Sequence, residues 1–352
     1  MAIILAVDAM GGDHGINITV PACLRFLSKT ADVNLVLVGD RDAIYKQVGD
    51  SLSSYSDRIE VVHATQVVGM DEAPQSAMRT KRDSSMRVAI NLVKEGKANA
   101  IVSAGNTGAL MAIARYVLRT MEGIDRPAIA KLLPTVKGEV CMLDLGANVE
   151  CAPEHLLQFG IMGSQLMRGV TKKATPSVGI LNIGSEDIKG NETVKKAAEL
   201  LKKANLNFYG NVEGDDIFKG VVDVVVTDGF TGNVALKTTE GVAKMIAFFL
   251  KEEFTRTWFT KLIALVSFPV LKRLKKRVDP SKYNGAVLLG LNGLVIKSHG
   301  GADIDGFYYA LDQAHHEVDA GVIGLLKDYL QQNKLTDGDN DELIEFNDLK
   351  SL

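Results

Sequence analysis

"IVSAGNTGALMAIA", residues 101–114, decides the fold. It opens as a short buried strand and closes as an apolar helix. Ser103, Gly105, Asn106, Thr107 and Gly108, all small or polar, sit at the junction. A strand that turns directly into a helix is half of a βαβ unit, the building block of parallel sheets covered by helices. The first turn of such a helix leaves unpaired N–H groups and a partial positive charge, and small residues let an anion approach them. Asn106 or Thr107 is the natural N-cap. A held anion and an ordinary capped turn both account for these residues.

The same alternation runs almost from end to end. Apolar strand candidates lie at 3–10, 33–39, 59–64, 100–104, 139–146, 177–184, 221–229 and 293–300. Helical patterns fill 17–29, 76–95, 107–119, 153–169, 191–204, 231–254 and 303–332. This predicts an α/β fold with a mostly parallel sheet and helices on both faces. No Gly/Ser-rich or Pro-rich linker divides the chain, so residues 1–335 read as one catalytic α/β domain and 336–352 as an acidic flexible tail.

With 46% hydrophobic and 24% charged residues in 352, the composition is that of a soluble globular protein. A net charge of −3 argues against a general nucleic-acid-binding surface. Cys23, Cys141 and Cys151 lack metal or redox spacing. The N-terminal "MAIILAVDAMGGD" has no basic leader and reads as a first core strand in a cytoplasmic protein.

In parallel α/β sheets ligands bind beyond the C-terminal ends of strands. Polar turns gather there: "MGGD" (10–13) after Asp8, "SAGNTG" (103–108), "DLGAN" (144–148), "NIGSEDIKGNE" (182–192), "TDGFTGN" (227–233) and "KSHGGAD" (297–303). All are expected at one rim, as a common pocket. The residues collected for substrate are Asp8, Gly11, Gly12, Ser103, Gly105, Asn106, Thr107, Asn148, Gly184, Glu186, Asp228 and His299. Asp8, Asp13, Asp144 and Asp228 suit turn-forming roles better than a metal site. Lys189 stands in a glycine-flanked loop where an ammonium could offset phosphate charge, or simply be solvated. His299 could polarise an acyl group or be structural. No phosphate-binding G-x-x-x-x-G-K-[ST], no G-x-G-x-x-G after the first strand and no G-x-S-x-G elbow is present.

Residues 245–280 differ from the rest. From Lys251 to Val278 there are eight basic residues and two acidic ones, a local balance of +6. Trp258, Leu262, Lys272, Arg273, Lys275 and Lys276 mark a basic, apolar segment predicted to protrude as a helical hairpin. Ten residues, 262–271, are apolar apart from Ser267. That is too short to span a bilayer but enough to dip into an anionic membrane surface. An acidic protein partner is the other candidate for this face.

Taken together, "DAMGGD", "SAGNTGA", "DLGAN", "IGSEDIKGNE", "TDGFTGN" and "GAVLLGLNGLVIKSHG" resemble the phosphate acyltransferase family of bacterial phospholipid synthesis over about residues 1–332. The resemblance implies transfer of a fatty acyl group from acyl carrier protein to inorganic phosphate. It also implies a fold like phosphotransacetylases and isocitrate and isopropylmalate dehydrogenases, a homodimer, and neither metal nor nicotinamide cofactor. Lys189 and Asn233 are then the catalytic candidates, and a membrane glycerol-3-phosphate acyltransferase the next user of the product.

Overall fold

The computed structural model describes residues 2–278 and 280–335, so the acidic tail, 336–352, lies outside the described residues. Eleven strands form one sheet. They are β1 (Ile3–Asp8), β2 (Val33–Gly39), β3 (Ile59–His63), β4 (Ala100–Ser103), β5 (Ala128–Thr135), β6 (Gly138–Leu143), β7 (Ser177–Leu181), β8 (Asn207–Val212), β9 (Val224–Val226), β10 (Ala286–Leu289) and β11 (Leu294–Lys297). Their order is β3-β2-β1-β4-β11-β10-β5-β6-β9-β7-β8.

Neighbours pair in parallel within β3-β2-β1-β4-β11 and within β6-β9-β7-β8. The pairs β11–β10, β10–β5 and β5–β6 are antiparallel. Three successive reversals make the second block run opposite to the first. This overturns the expectation of a single rim, because strand ends of the two blocks lie on opposite edges of the sheet. Asp8, Ser103 and Lys297 end strands at one edge, and Leu143, Leu181 and Val226 at the other. Two of the strands responsible, β5 and β10, are absent from the sequence expectations, as is β8. β10 is only "AVLL" beside a glycine-rich turn, and β5 carries Lys131 in mid-strand, so neither shows the unbroken apolar run of the others.

Leu5 and Val7 face one core layer with Phe26, Phe159 and Phe307, and Ala6 faces the other with Met86, Ile90 and Leu110. Alternate residues of one strand thus serve both layers, which is why strands buried on both faces read as continuous apolar runs. The helical pattern at 76–95 is two helices, Pro74–Thr80 and Ser85–Lys94, the second capped by Ser84 Oγ accepting from Arg87 N at 3.3 Å. That at 303–332 is broken at Gly321, whose φ of +66° takes the left-handed region glycine tolerates.

Helices Gly229–Thr255 and Trp258–Val278 form a hairpin turning at Arg256 and Thr257. Thr257 and Thr260 stabilise the turn reciprocally, each hydroxyl accepting the other's N–H at 3.1 and 2.9 Å. Pro269 lies inside the second helix rather than at the bend. Trp258 is 78% exposed, Leu265 71% and Val266 77%. Leu262 is exposed too, as are Lys272 and Arg273, while Lys275 and Lys276 lie on the helix with side chains outside the described set. No described helix is long and apolar enough to cross a membrane.

Candidate active site

At the first rim, beyond β1, β4 and β11, most of the polar residues are spent on one another. Asp8 is 1% exposed and accepts from Ser85 Oγ at 2.6 Å and Ser103 Oγ at 2.7 Å. Ser103 Oγ in turn accepts from Gly105 N at 3.0 Å. Burial raises the Asp8 pKa, opposed by both hydroxyls and by the charge of Lys297. Asn106 caps helix Thr107–Leu118 by accepting from Ala109 N at 3.0 Å, and its amide donates to the carbonyls of Gly69, Met70 and Glu72. These side chains shape the turn. What the turn presents outward is the exposed pair Thr107 and Gly108, whose N–H groups precede the first intrahelical bond, Leu110 N to Asn106 O.

Two glycines are demanded by close approach. A Cβ on Gly11 would lie 2.5 Å from Asp8 Oδ2, and Gly12, at φ +91°, would place one 2.9 Å from Ala104 Cβ. A Cβ on Gly105 would meet only the flexible end of Met86 at that range.

Lys297, which sequence reasoning missed, ends β11 at 8% exposure. Its ammonium donates to the carbonyls of Ala104, at 3.3 Å, and Ser298. Burial pushes its pKa down to about 8, against the raising pull of Asp8 and Asp13. A lysine closing a buried strand was the available signal, since an isolated buried cation must be paired or neutralised. Beside it, His299 Nδ1 accepts from Gly301 N at 3.1 Å, leaving Nε2 to carry the proton and donate. Burial lowers the His299 pKa, helped by Lys237 and Lys297, so the ring is neutral near pH 7.

The second rim lies beyond β6, β9 and β7. Asp144 organises it, accepting from Ile129 N at 2.9 Å, Ala147 N at 3.1 Å, and Asn148 N and Nδ2 at 2.6 and 3.0 Å. Asn148 Nδ2 also donates to Pro127 O at 2.8 Å. Asp228 is the N-cap of helix Gly229–Thr255, its carboxylate accepting from Thr231 N and Oγ1, both at 2.8 Å. Gly229 N donates to Asn148 O at 2.7 Å, and a Cβ on Gly232 would collide with the Asp144 carbonyl. Asp144, Asn148 and Asp228 therefore build the loops. Asn233 stays exposed at the start of the second helical turn, its Cγ 3.6 Å from where a Cβ on Gly146 would stand.

The 182–192 loop follows β7, the sheet neighbour of β9. Asn182 Nδ2 donates to Lys189 O at 3.1 Å, and Glu186 O accepts from Lys189 N and Asn211 Nδ2, both at 3.1 Å. Gly184 is buried against Glu186 and the Lys189 stem. The exposed Lys189 ammonium has no ion pair among the described residues. Adjacent strands stand about 4.8 Å apart, so Lys189 and Asn233 descend from neighbouring strand ends. Cys151 lies here too, but burial pushes its thiol up to about 12, far from a reactive thiolate.

Helix Gly229–Thr255 joins the two rims. It begins at Asn148 and, two to three turns on, brings Lys237 and Glu240 into electrostatic range of His299. Glu240 pairs with Lys131 of β5 at 3.6 Å. At 1.5 Å per residue, Asp228 to Glu240 covers about 18 Å along the helix axis. Among the described residues no group of three or more His, Cys, Asp or Glu side chains could hold a metal.

This frame is the fold of the phosphotransacetylases. One from Streptococcus pyogenes aligns with a TM-score of 0.61 at 14% identity, covering 92% of this chain and 94% of that one. The EutD phosphotransacetylase from Staphylococcus aureus gives 0.58 at 16%, covering 91% and 94%. The model of the family described as Fatty acid synthesis protein matches residues 3–325. A protein from Chromobacterium violaceum named phosphate acyltransferase is 65% identical over 328 residues, 93% of this chain and 95% of that relative. The chain belongs to this family.

Proposed function

We propose that the protein is an acyltransferase that moves a fatty acyl group from the thioester of acyl carrier protein to inorganic phosphate, releasing acyl phosphate for phospholipid synthesis. The observation that carries this reading is the unspent pair on the second rim: among the described residues, the exposed Lys189 and Asn233 make no side-chain hydrogen bond or ion pair, while Asp144, Asn148 and Asp228 are consumed in holding their loops.

In the proposed reaction a phosphate oxygen attacks the thioester carbonyl, forming a C–O bond. The C–S bond breaks, and sulfur departs as a thiolate. A thiol of pKa near 8.5 leaves without a strong general acid. Lys189 offsets charge on phosphate and on the tetrahedral intermediate. Asn233 donates to the oxyanion, a contact whose loss costs about 3 kcal/mol in other enzymes. Holding phosphate and thioester together removes several kcal/mol of barrier by itself. With Cys23 and Cys141 buried and the half-buried Cys151 thiol raised by desolvation, direct displacement is a simpler course than a cysteine acyl-enzyme.

The hairpin fits a peripheral membrane attachment in the cytoplasm, with Trp258 and Leu262 seated among anionic lipid headgroups and Lys272 and Arg273 facing them. Such placement would hand a reactive, amphiphilic product to a membrane glycerol-3-phosphate acyltransferase. The active species is a homodimer in this reading.

The test is release of free carrier-protein thiol from acyl-acyl carrier protein with and without phosphate. Phosphate-dependent release in the wild type, lost for the most part in folded Lys189→Ala and Asn233→Ala variants, supports the assignment. Wild-type turnover in either variant removes that residue from the mechanism.

A further inference from the structure

A cavity of about 540 Å³ opens at the second rim, lined by Arg115, Arg126, Ala147, Asn148, Val149 and Glu150. Neither arginine figures in the reaction above. The topology explains how they meet. Helix Thr107–Leu118 begins beyond β4 at the first rim and runs back along the sheet, and eight residues at 1.5 Å each carry Arg115 about 12 Å toward the opposite edge. Arg126 stands just before β5, a strand that starts on that same edge.

Both guanidinium groups are underused. Arg126 Nη1 reaches only the Glu150 carbonyl, at 3.4 Å, and the Arg115 side chain has no hydrogen bond or ion pair among the described residues. The charge of Arg126 is felt by Cys151 and by His155, whose pKa burial lowers with Arg126 adding to the effect. The floor is stiff, because Asn148 is tied to Asp144 and Pro127. Ala147 adjoins Gly146, against which Asn233 packs, so the cavity opens next to a proposed catalytic group. Glu150 is the one acid in the lining, which leaves two positive charges facing one negative.

We propose that this cavity is a phosphate-binding subsite, with Arg115 and Arg126 gripping the phosphate oxygens. A guanidinium fork matches a phosphate in a way a lysine does not, and here one fork comes from helix Thr107–Leu118 and the other from the loop before β5. If the acyl-transfer reading holds, the phosphate comes from one of two sources: the inorganic acceptor, or the phosphodiester in the prosthetic arm that carries the donor thioester.

Calorimetric titration of the full chain at fixed ionic strength distinguishes them, using inorganic phosphate, phosphopantetheine, and pantetheine as the phosphate-free control. In folded Arg115→Gln and Arg126→Gln, binding of a phosphate-bearing ligand falls at least about tenfold and pantetheine is unaffected. Arg115→Lys falls short of wild type, and Glu150→Gln binds more tightly. A loss for inorganic phosphate assigns the acceptor; a loss confined to phosphopantetheine assigns the donor arm. Unchanged affinity for both in the two glutamine variants overturns the subsite. The acyl-transfer reading is judged separately: arginine-dependent phosphate binding without thiol release sinks the reaction and leaves the subsite standing.

Discussion

At the scale of single residues, the chain separates side chains that shape loops from those whose polar ends stay exposed. Asp8, Ser103, Asn106, Asp144, Asn148 and Asp228 have the residue types of a binding site, yet their hydrogen bonds run inward. Thr107, Lys189, Asn233 and His299 are exposed. Lys297 is the residue whose titration is most open to measurement. Its folded pKa of about 8 lies below the unfolded value near 10.5, so the ammonium costs stability below pH 8 and the cost is relieved as pH rises from 8 toward 10.5. The difference is on the order of 3 kcal/mol. Denaturant unfolding of wild type and Lys297→Met at pH 7 and pH 10 should show the wild type gaining on the variant as pH rises. An unchanged gap would mean that the amine is not desolvated as described. The sequence shows only a lysine closing an apolar run; its burial comes from β11 lying beside β4, a pairing of residues nearly two hundred positions apart.

At the scale of elements, the helix Gly229–Thr255 does the most to connect sequence with site. Its N-cap, Asp228, satisfies two donors of the first turn, and Asp228→Ala should cost about 1 kcal/mol of stability by thermal unfolding. Gly232→Ala is expected to be far worse, at least about 3 kcal/mol or no folded protein, because the new methyl has only the Asp144 carbonyl to meet. Stability near wild type would contradict the packing of this helix on the second rim. The hairpin makes a different prediction. Trp258→Glu or Leu262→Glu should weaken binding to anionic liposomes while sparing phosphate-dependent activity in solution, and unchanged liposome affinity would argue against the membrane role. Element positions were largely legible: β2 and the helices at 107–118 and 192–203 follow directly from period and caps. The strands β5, β8 and β10 were not, because short or interrupted apolar runs acquire strand geometry only from their neighbours.

At the scale of the whole molecule, local pattern predicted the α/β class, and the resemblance to the family agrees with the match over residues 3–325. What it could not show was the reversal of strand direction across β10, β5 and β6, which splits one expected rim into two. Direction is a property of long-range pairing, invisible to periodicity. The measurement that tests the account most directly is thiol release from acyl-acyl carrier protein as inorganic phosphate is varied, with acyl phosphate followed alongside. The account predicts release that saturates with phosphate, one acyl phosphate formed for each thiol freed. Thiol release without phosphate, or with free fatty acid as the product, would contradict it.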